Sequence, residues 1–143
     1  MQLSEHFNLD EFIVSQTASR LGIQNYPPSH ILPSLNRLAA GMEEVRTLLG
    51  HPITISSGYR SAALNAEVRG AQGSQHLLGE ACDFVCPRFG TPIEIVAAII
   101  ASDIAYDQVI QEFGTAGWVH ISFSDRHRRQ ALIVDSTGTR AYA

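Results

Sequence analysis

In the run Ala81-Cys82-Asp83-Phe84-Val85 a carboxylate stands among four apolar side chains, and no other feature of the sequence restricts its fold as much. Side chains alternate along a strand, so Asp83 shares one face with Ala81 and Val85 while Cys82 and Phe84 point the other way. A carboxylate is expensive to bury unless a cation or hydrogen-bond donors meet it. The fold must therefore bring such partners to that face.

Two histidines are the natural partners. His76 lies seven residues upstream, in the segment Ser74-Gln75-His76. His120 sits in a second strand-like run, Trp118-Val119-His120-Ile121-Ser122-Phe123, sharing a face with Trp118 and Ser122, while Val119, Ile121 and Phe123 form a core face. Two imidazoles and a carboxylate suit zinc, at bond lengths of about 2.0–2.2 Å, and leave a fourth position for water. A water so placed is acidified towards about pH 7 and attacks an amide. A buried histidine–aspartate hydrogen bond with the other histidine incidental is the competing interpretation, and spacing alone leaves both open.

The surrounding sequence reads as an α+β scaffold. After a short helical turn over residues 9–14, Pro27 and Pro28 lead into a long helix whose apolar positions Ile31, Leu35, Leu38, Met42, Val45 and Leu48/Leu49 recur at three and four residues. Gly50 and Pro52 stop it. Residues 53–57 read as a strand, 61–68 as a helix, the glycine-bearing segment 69–75 as loop, and 81–85 as a strand. Thr91, Pro92 and Glu94 supply an N-cap, a first-turn proline and a capping-box acid for a second apolar helix. Residues 106–112 and 118–123 form a hairpin across the segment FGTAG, and 131–134 add a last strand. The expected architecture is a small, mainly antiparallel sheet carrying the zinc site and flanked by helices. At 143 residues the whole chain, 1–143, suits a single domain.

Composition narrows the partners. Ten basic against fourteen acidic residues give a formal charge of -4, and the one basic cluster, residues 126–129, reads as a solvated loop, so nucleic acid is not expected. No apolar run approaches the roughly 18 residues of a membrane span. The amino terminus has neither the basic start nor the apolar core of a signal peptide, which points to synthesis in the cytoplasm. Cys82 and Cys86 are too few for a disulfide framework; Cys82 reads as a small buried hydrophobe ahead of a disulfide with Cys86 or a metal ligand. His6, His30, His51 and His127 lack partners at metal-ligand spacing and read as surface or capping residues, and Glu80 as solvated.

These residues resemble the D-alanyl-D-alanine carboxypeptidase group of zinc peptidases, which shares its metal-site fold with lysostaphin-type endopeptidases and the amino-terminal domain of hedgehog proteins. Its pattern SxHxxGxAxD is met by Ser74, His76, Gly79, Ala81 and Asp83, and its closing WxHxS by Trp118, His120 and Ser122. The segment SSGYRS, residues 56–61, is similar to the family's arginine-bearing turn, and the opening SEHFNLDEF looks most like phage and prophage members. The resemblance implies one Zn2+ held by His76, Asp83 and His120. It also implies that Arg60 steadies a substrate carbonyl or carboxylate, a role that suits a permanently charged, two-pronged guanidinium, and that Ser74 bonds within the site. Many relatives carry an acid three places before the last histidine, where this chain has Gly117. Glu112 is the substitute general base: paired with Trp118 it lies diagonally from His120, about 7 to 8 Å away, with Asp107 a second candidate. Tyr59 and Trp118 either line a substrate groove or serve packing.

The implied activity is zinc-dependent hydrolysis of peptidoglycan stem peptides, as a carboxypeptidase or endopeptidase of endolysin type. It would be carried out by a monomer that reaches the cell wall after release. A non-catalytic zinc-containing module that binds wall peptides is the alternative.

Overall fold

The computed structural model describes residues 1–142. Its longest helix, α2 (Leu32–Leu49), buries Leu35, Leu38, Met42, Val45 and Leu49, the three-and-four spacing of the sequence, and ends at Gly50 in the left-handed conformation, whose N–H bonds the Arg46 carbonyl. A single 3-10 turn, Ser29–Ile31, precedes it. Helix α4 (Pro92–Ala101) starts from the reciprocal Thr91–Glu94 capping box and buries Ile95, Val96 and Ile99. Two short helices complete the set: α1 (Gln16–Leu21), capped by Ser15, and α3 (Ala62–Glu67), capped by Ser61.

Among the described residues six strands form one sheet: β1 (Thr54–Ser57), β2 (Ala81–Val85), β3 (Gln108–Glu112), β4 (Trp118–Ser122), β5 (Gln130–Asp135) and β6 (Gly138–Ala141), in the order β1-β2-β4-β3-β5-β6. Every pairing is antiparallel except β3 with β5. This is the α+β architecture expected from sequence, with two additions and one parallel pairing. Helix α1 buries only Ala18 and β6 is exposed throughout, so neither carries an apolar period. The last strand of the expected set, β5, runs parallel to β3 because the chain crosses over that strand after β4.

The two faces of the sheet divide the labour. Cys82, Phe84, Val109, Val119, Ile121 and Phe123 pack against Leu35, Leu38, Met42, Ile95 and Ile99 in one apolar cluster, each fully buried aliphatic or aromatic side chain contributing about 1.5–3 kcal/mol. Alternation then forces Asp83 and His120 onto the opposite face. Among the described residues no helix is long and apolar enough to cross a membrane.

Candidate metal centre

Strand register places the first two candidate ligands. Asp83 on β2 lies directly across from His120 on β4, and Ser57 on β1 flanks Asp83 from the other side. His76 arrives from a 3-10 turn, Gln75–Leu78, begun by the Ser74 hydroxyl, which accepts from the His76 N–H at 3.2 Å, and closed by Gly79. The His76 carbonyl accepts from the Arg60 N–H at 3.1 Å, tying this turn to the segment after β1.

All three side chains are buried. The Asp83 Oδ1 atom lies 3.3 Å from His76 Nε2 and 3.1 Å from His120 Nδ1, with the two rings edge to face. His76 Nδ1 donates to the Gly58 carbonyl at 2.7 Å, which orients the ring and turns Nε2 towards the cluster. A tetrahedral ion with bonds of about 2.0–2.1 Å separates its ligand atoms by roughly 3.3–3.4 Å; the His76 spacing of 3.3 Å matches such an edge and the His120 spacing of 3.1 Å is slightly shorter. One donor atom from each residue lies within 4.8 Å of the others, and the nitrogen and oxygen set suits a divalent ion of zinc type. Burial alone would raise the Asp83 pKa; the hydrogen bonds from His120 and His76, reinforced by their charge, outweigh it and hold the carboxyl well below the usual range. Gly58 has a steric reason of its own, since a Cβ there would collide with the Phe12 backbone.

The cluster opens into a cavity of about 530 Å3. Glu112 lines it, half-buried and paired across the hairpin with Trp118. Burial and the Asp83 charge raise the Glu112 pKa, against the pull of His120, the Trp118 indole and Arg60. The Trp118 Nε1–H is the one buried side-chain polar atom without a formed hydrogen bond among the described residues.

The family model for Peptidase M15 matches residues 5–122, a span that contains the whole cluster, Arg60 and Glu112. The chain belongs to the peptidase M15 family. No curated protein matches it.

In this M15 chain Arg60, Ser74 and Trp118 join Glu112 in lining the groove. Arg60 is braced by Ser57 Oγ at 3.3 Å and Asn65 Oδ1 at 3.2 Å, and its Nη2 stands 3.7 Å from Asp83 Oδ2. Ser74 caps the turn that carries His76.

Tyr59 does not line this groove. It is buried in the apolar cluster and borders a different depression beside Ser15 and Leu64. Its neighbour Arg60 borders both the groove and that depression. Asp107 is excluded as a base for a different reason: fully shielded, its carboxylate is gripped by Arg128 through two bonds, at 2.8 and 3.0 Å, which lowers its pKa. Glu80 is half-buried rather than solvated and accepts from Gln75 at 3.1 Å. Cys82 and Cys86 are free thiols, and burial pushes the Cys82 thiol up, away from thiolate chemistry.

Residues 126–129 form the exposed loop expected from the sequence, and their arginines are nonetheless anchored. Arg126 and Arg128 line the groove, whereas Arg129 lies over the Tyr106 ring and bonds the carbonyls of Ile100, Ser102 and Ile104. The sequence signal is the alternation Arg126-His127-Arg128 opposite an aspartate just before β3.

Proposed function

We propose that this M15 chain is a zinc-dependent peptidase that hydrolyses the stem peptides of peptidoglycan, with Glu112 as general base and Arg60 as the group that binds developing negative charge. The observation that carries this reading is the convergence of His76 Nε2, Asp83 Oδ1 and His120 Nδ1 beside one groove that also holds a half-buried glutamate. Bound by these three residues, zinc would supply Lewis-acid polarisation of the scissile carbonyl and a water of lowered pKa.

The protein's own residues account for the rest. Glu112 accepts a proton as the water oxygen attacks the carbonyl carbon, then returns it to the amine as the C–N bond breaks. Its raised pKa suits a group that must both take and give a proton near neutral pH. Arg60, held by Ser57 and Asn65, presents fixed donors to the oxyanion, so no reorganisation is needed when charge develops. Gly117 supports the choice of Glu112 over the position used by many relatives: a Cβ at 117 would overlap the Glu112 carbonyl, so the hairpin cannot carry an acid there in this conformation.

The test is Glu112→Gln. Zinc content by atomic absorption should stay at the parental level while release of fragments from purified peptidoglycan falls by about 10²- to 10⁴-fold. Undiminished release would remove Glu112 from the chemistry. A parent that binds wall peptides, holds zinc and releases nothing would favour the non-catalytic binding module that the glycine at 117 otherwise suggests.

A further inference from the structure

The groove continues past the metal cluster to a second charged site. Along β3 the residues Gln108, Ile110 and Glu112 line the groove, and Ile110 is paired with His120. Two-residue steps on a strand span about 6.6–6.8 Å, so the Glu112 end and the Gln108 end each lie about 7 Å from the position opposite His120. Arg126 and Arg128 occupy the Gln108 end, because Asp107, the residue before Gln108, holds both. Arg128 grips Asp107 by Nε and Nη2, Arg126 touches Oδ2 by one nitrogen at 3.2 Å, and Gln75 donates to the same oxygen at 2.9 Å.

Two guanidinium groups meet the Asp107 carboxylate directly, whereas Glu80 reaches this cluster only through Gln75. Arg128 is committed to Asp107 in the fork geometry; Arg126, more than half exposed, keeps most of its donors free. His127 and Arg129 adopt left-handed backbone, with φ of 44° and 51°, conformations that non-glycine residues keep only where the surroundings enforce them. They allow Arg126 and Arg128 to face the groove while Arg129 is anchored behind it. The segment lies outside residues 5–122, the span that matches the M15 family.

We propose that Arg126, positioned by Asp107 and Arg128, is a specificity-determining residue that binds a free carboxylate of the peptide substrate. An extended peptide advances about 3.3–3.6 Å per residue, so this carboxylate is borne about two residues from the scissile carbonyl. This inference rests on the peptidase reading for the identity of the ligand. In a stem peptide the carboxylate comes either from the D-glutamate or from the carboxy terminus, and amidation of each separates the two.

The probe is the stem pentapeptide L-Ala-γ-D-Glu-L-Lys-D-Ala-D-Ala, as the free acid, with the D-glutamate carboxyl amidated, or with the carboxy terminus amidated. Calorimetric binding to the zinc-loaded full chain carrying Glu112→Gln reads affinity without turnover. One of the two amidations should weaken binding by about ten- to a hundred-fold, the range for a charge-assisted contact. Adding Arg126→Gln should bring the free acid to the affinity of that amide and leave the amide unchanged, and Arg126→Lys should restore part of the difference. Equal binding of the acid and both amides, or an equal loss for all three with Arg126→Gln, would overturn the proposal. Asp107 keeps Arg128 and Gln75 in the variant, so the fold should persist. If the unfolding temperature drops, the acid-to-amide ratio of Arg126→Lys decides instead, and equal affinities for acid and amide in that variant overturn the proposal. Fragment release by the parent is scored separately, so a chain that discriminates the carboxylate but cuts nothing would defeat the peptidase reading and leave the subsite standing.

Discussion

At the scale of single residues, buried carboxylates organise this protein. Asp83 and Asp107 are both shielded, and both have pKa values held low by their partners. Asp83 faces two imidazoles, a set that accepts a metal; Asp107 faces two guanidinium groups and an amide, which closes it to proton transfer. Asp107 therefore contributes stability that is present above its unfolded-state pKa of about 3.9 and is lost as the pH falls through and below that value. Asp107→Asn should cost about 3 kcal/mol near pH 7, the low end for a broken buried pair because the arginines are partly exposed. In thermal unfolding the gap between parent and variant should narrow as the pH drops from 5 to about 3. A gap independent of pH would mean that the carboxylate's charge is not what stabilises the loop.

At the scale of elements, the sequence is most legible where periodicity meets capping. Helices α2 and α4 announce themselves by buried spacing and by Gly50, Thr91 and Glu94, and the β3–β4 hairpin by its glycine-containing turn, with Glu112 opposite Trp118 as expected. The three candidate ligands are legible for a related reason: a polar residue in an apolar strand has few explanations. What escapes is tertiary. The side on which Tyr59 falls is hidden because local pattern cannot say on which side of Gly58 the chain leaves the sheet. Strand β6 has no apolar face to read, and the role of residues 126–129 depends on Asp107, 19 residues before Arg126. The hairpin offers a prediction at this scale. Gly117→Glu would restore the acid seen in many relatives, yet the close approach to the Glu112 carbonyl should destabilise the protein by about 1–3 kcal/mol, as overpacking does, with lower fragment release. A variant as stable as the parent and more active would show that the turn accommodates the side chain and that position 117 can hold the base.

At the scale of the whole molecule, the sheet separates support from chemistry. One face is fixed by the helices; the other is free to carry the cluster, the groove and its charged ends. The groove wall presents Arg60, Arg126 and Arg128 against Asp83 and Glu112, with Asp107 behind, and a divalent cation at the cluster would add positive charge to it. Catalysis as proposed depends on an ion held by His76, Asp83 and His120. Its most direct test is mass spectrometry of fragments released from purified peptidoglycan by the parent protein, by protein stripped of metal with a chelator, and by the stripped protein given zinc. The expected results are release, no release, and release restored; fragments that continue to appear from protein with no bound metal would show that no ion is needed.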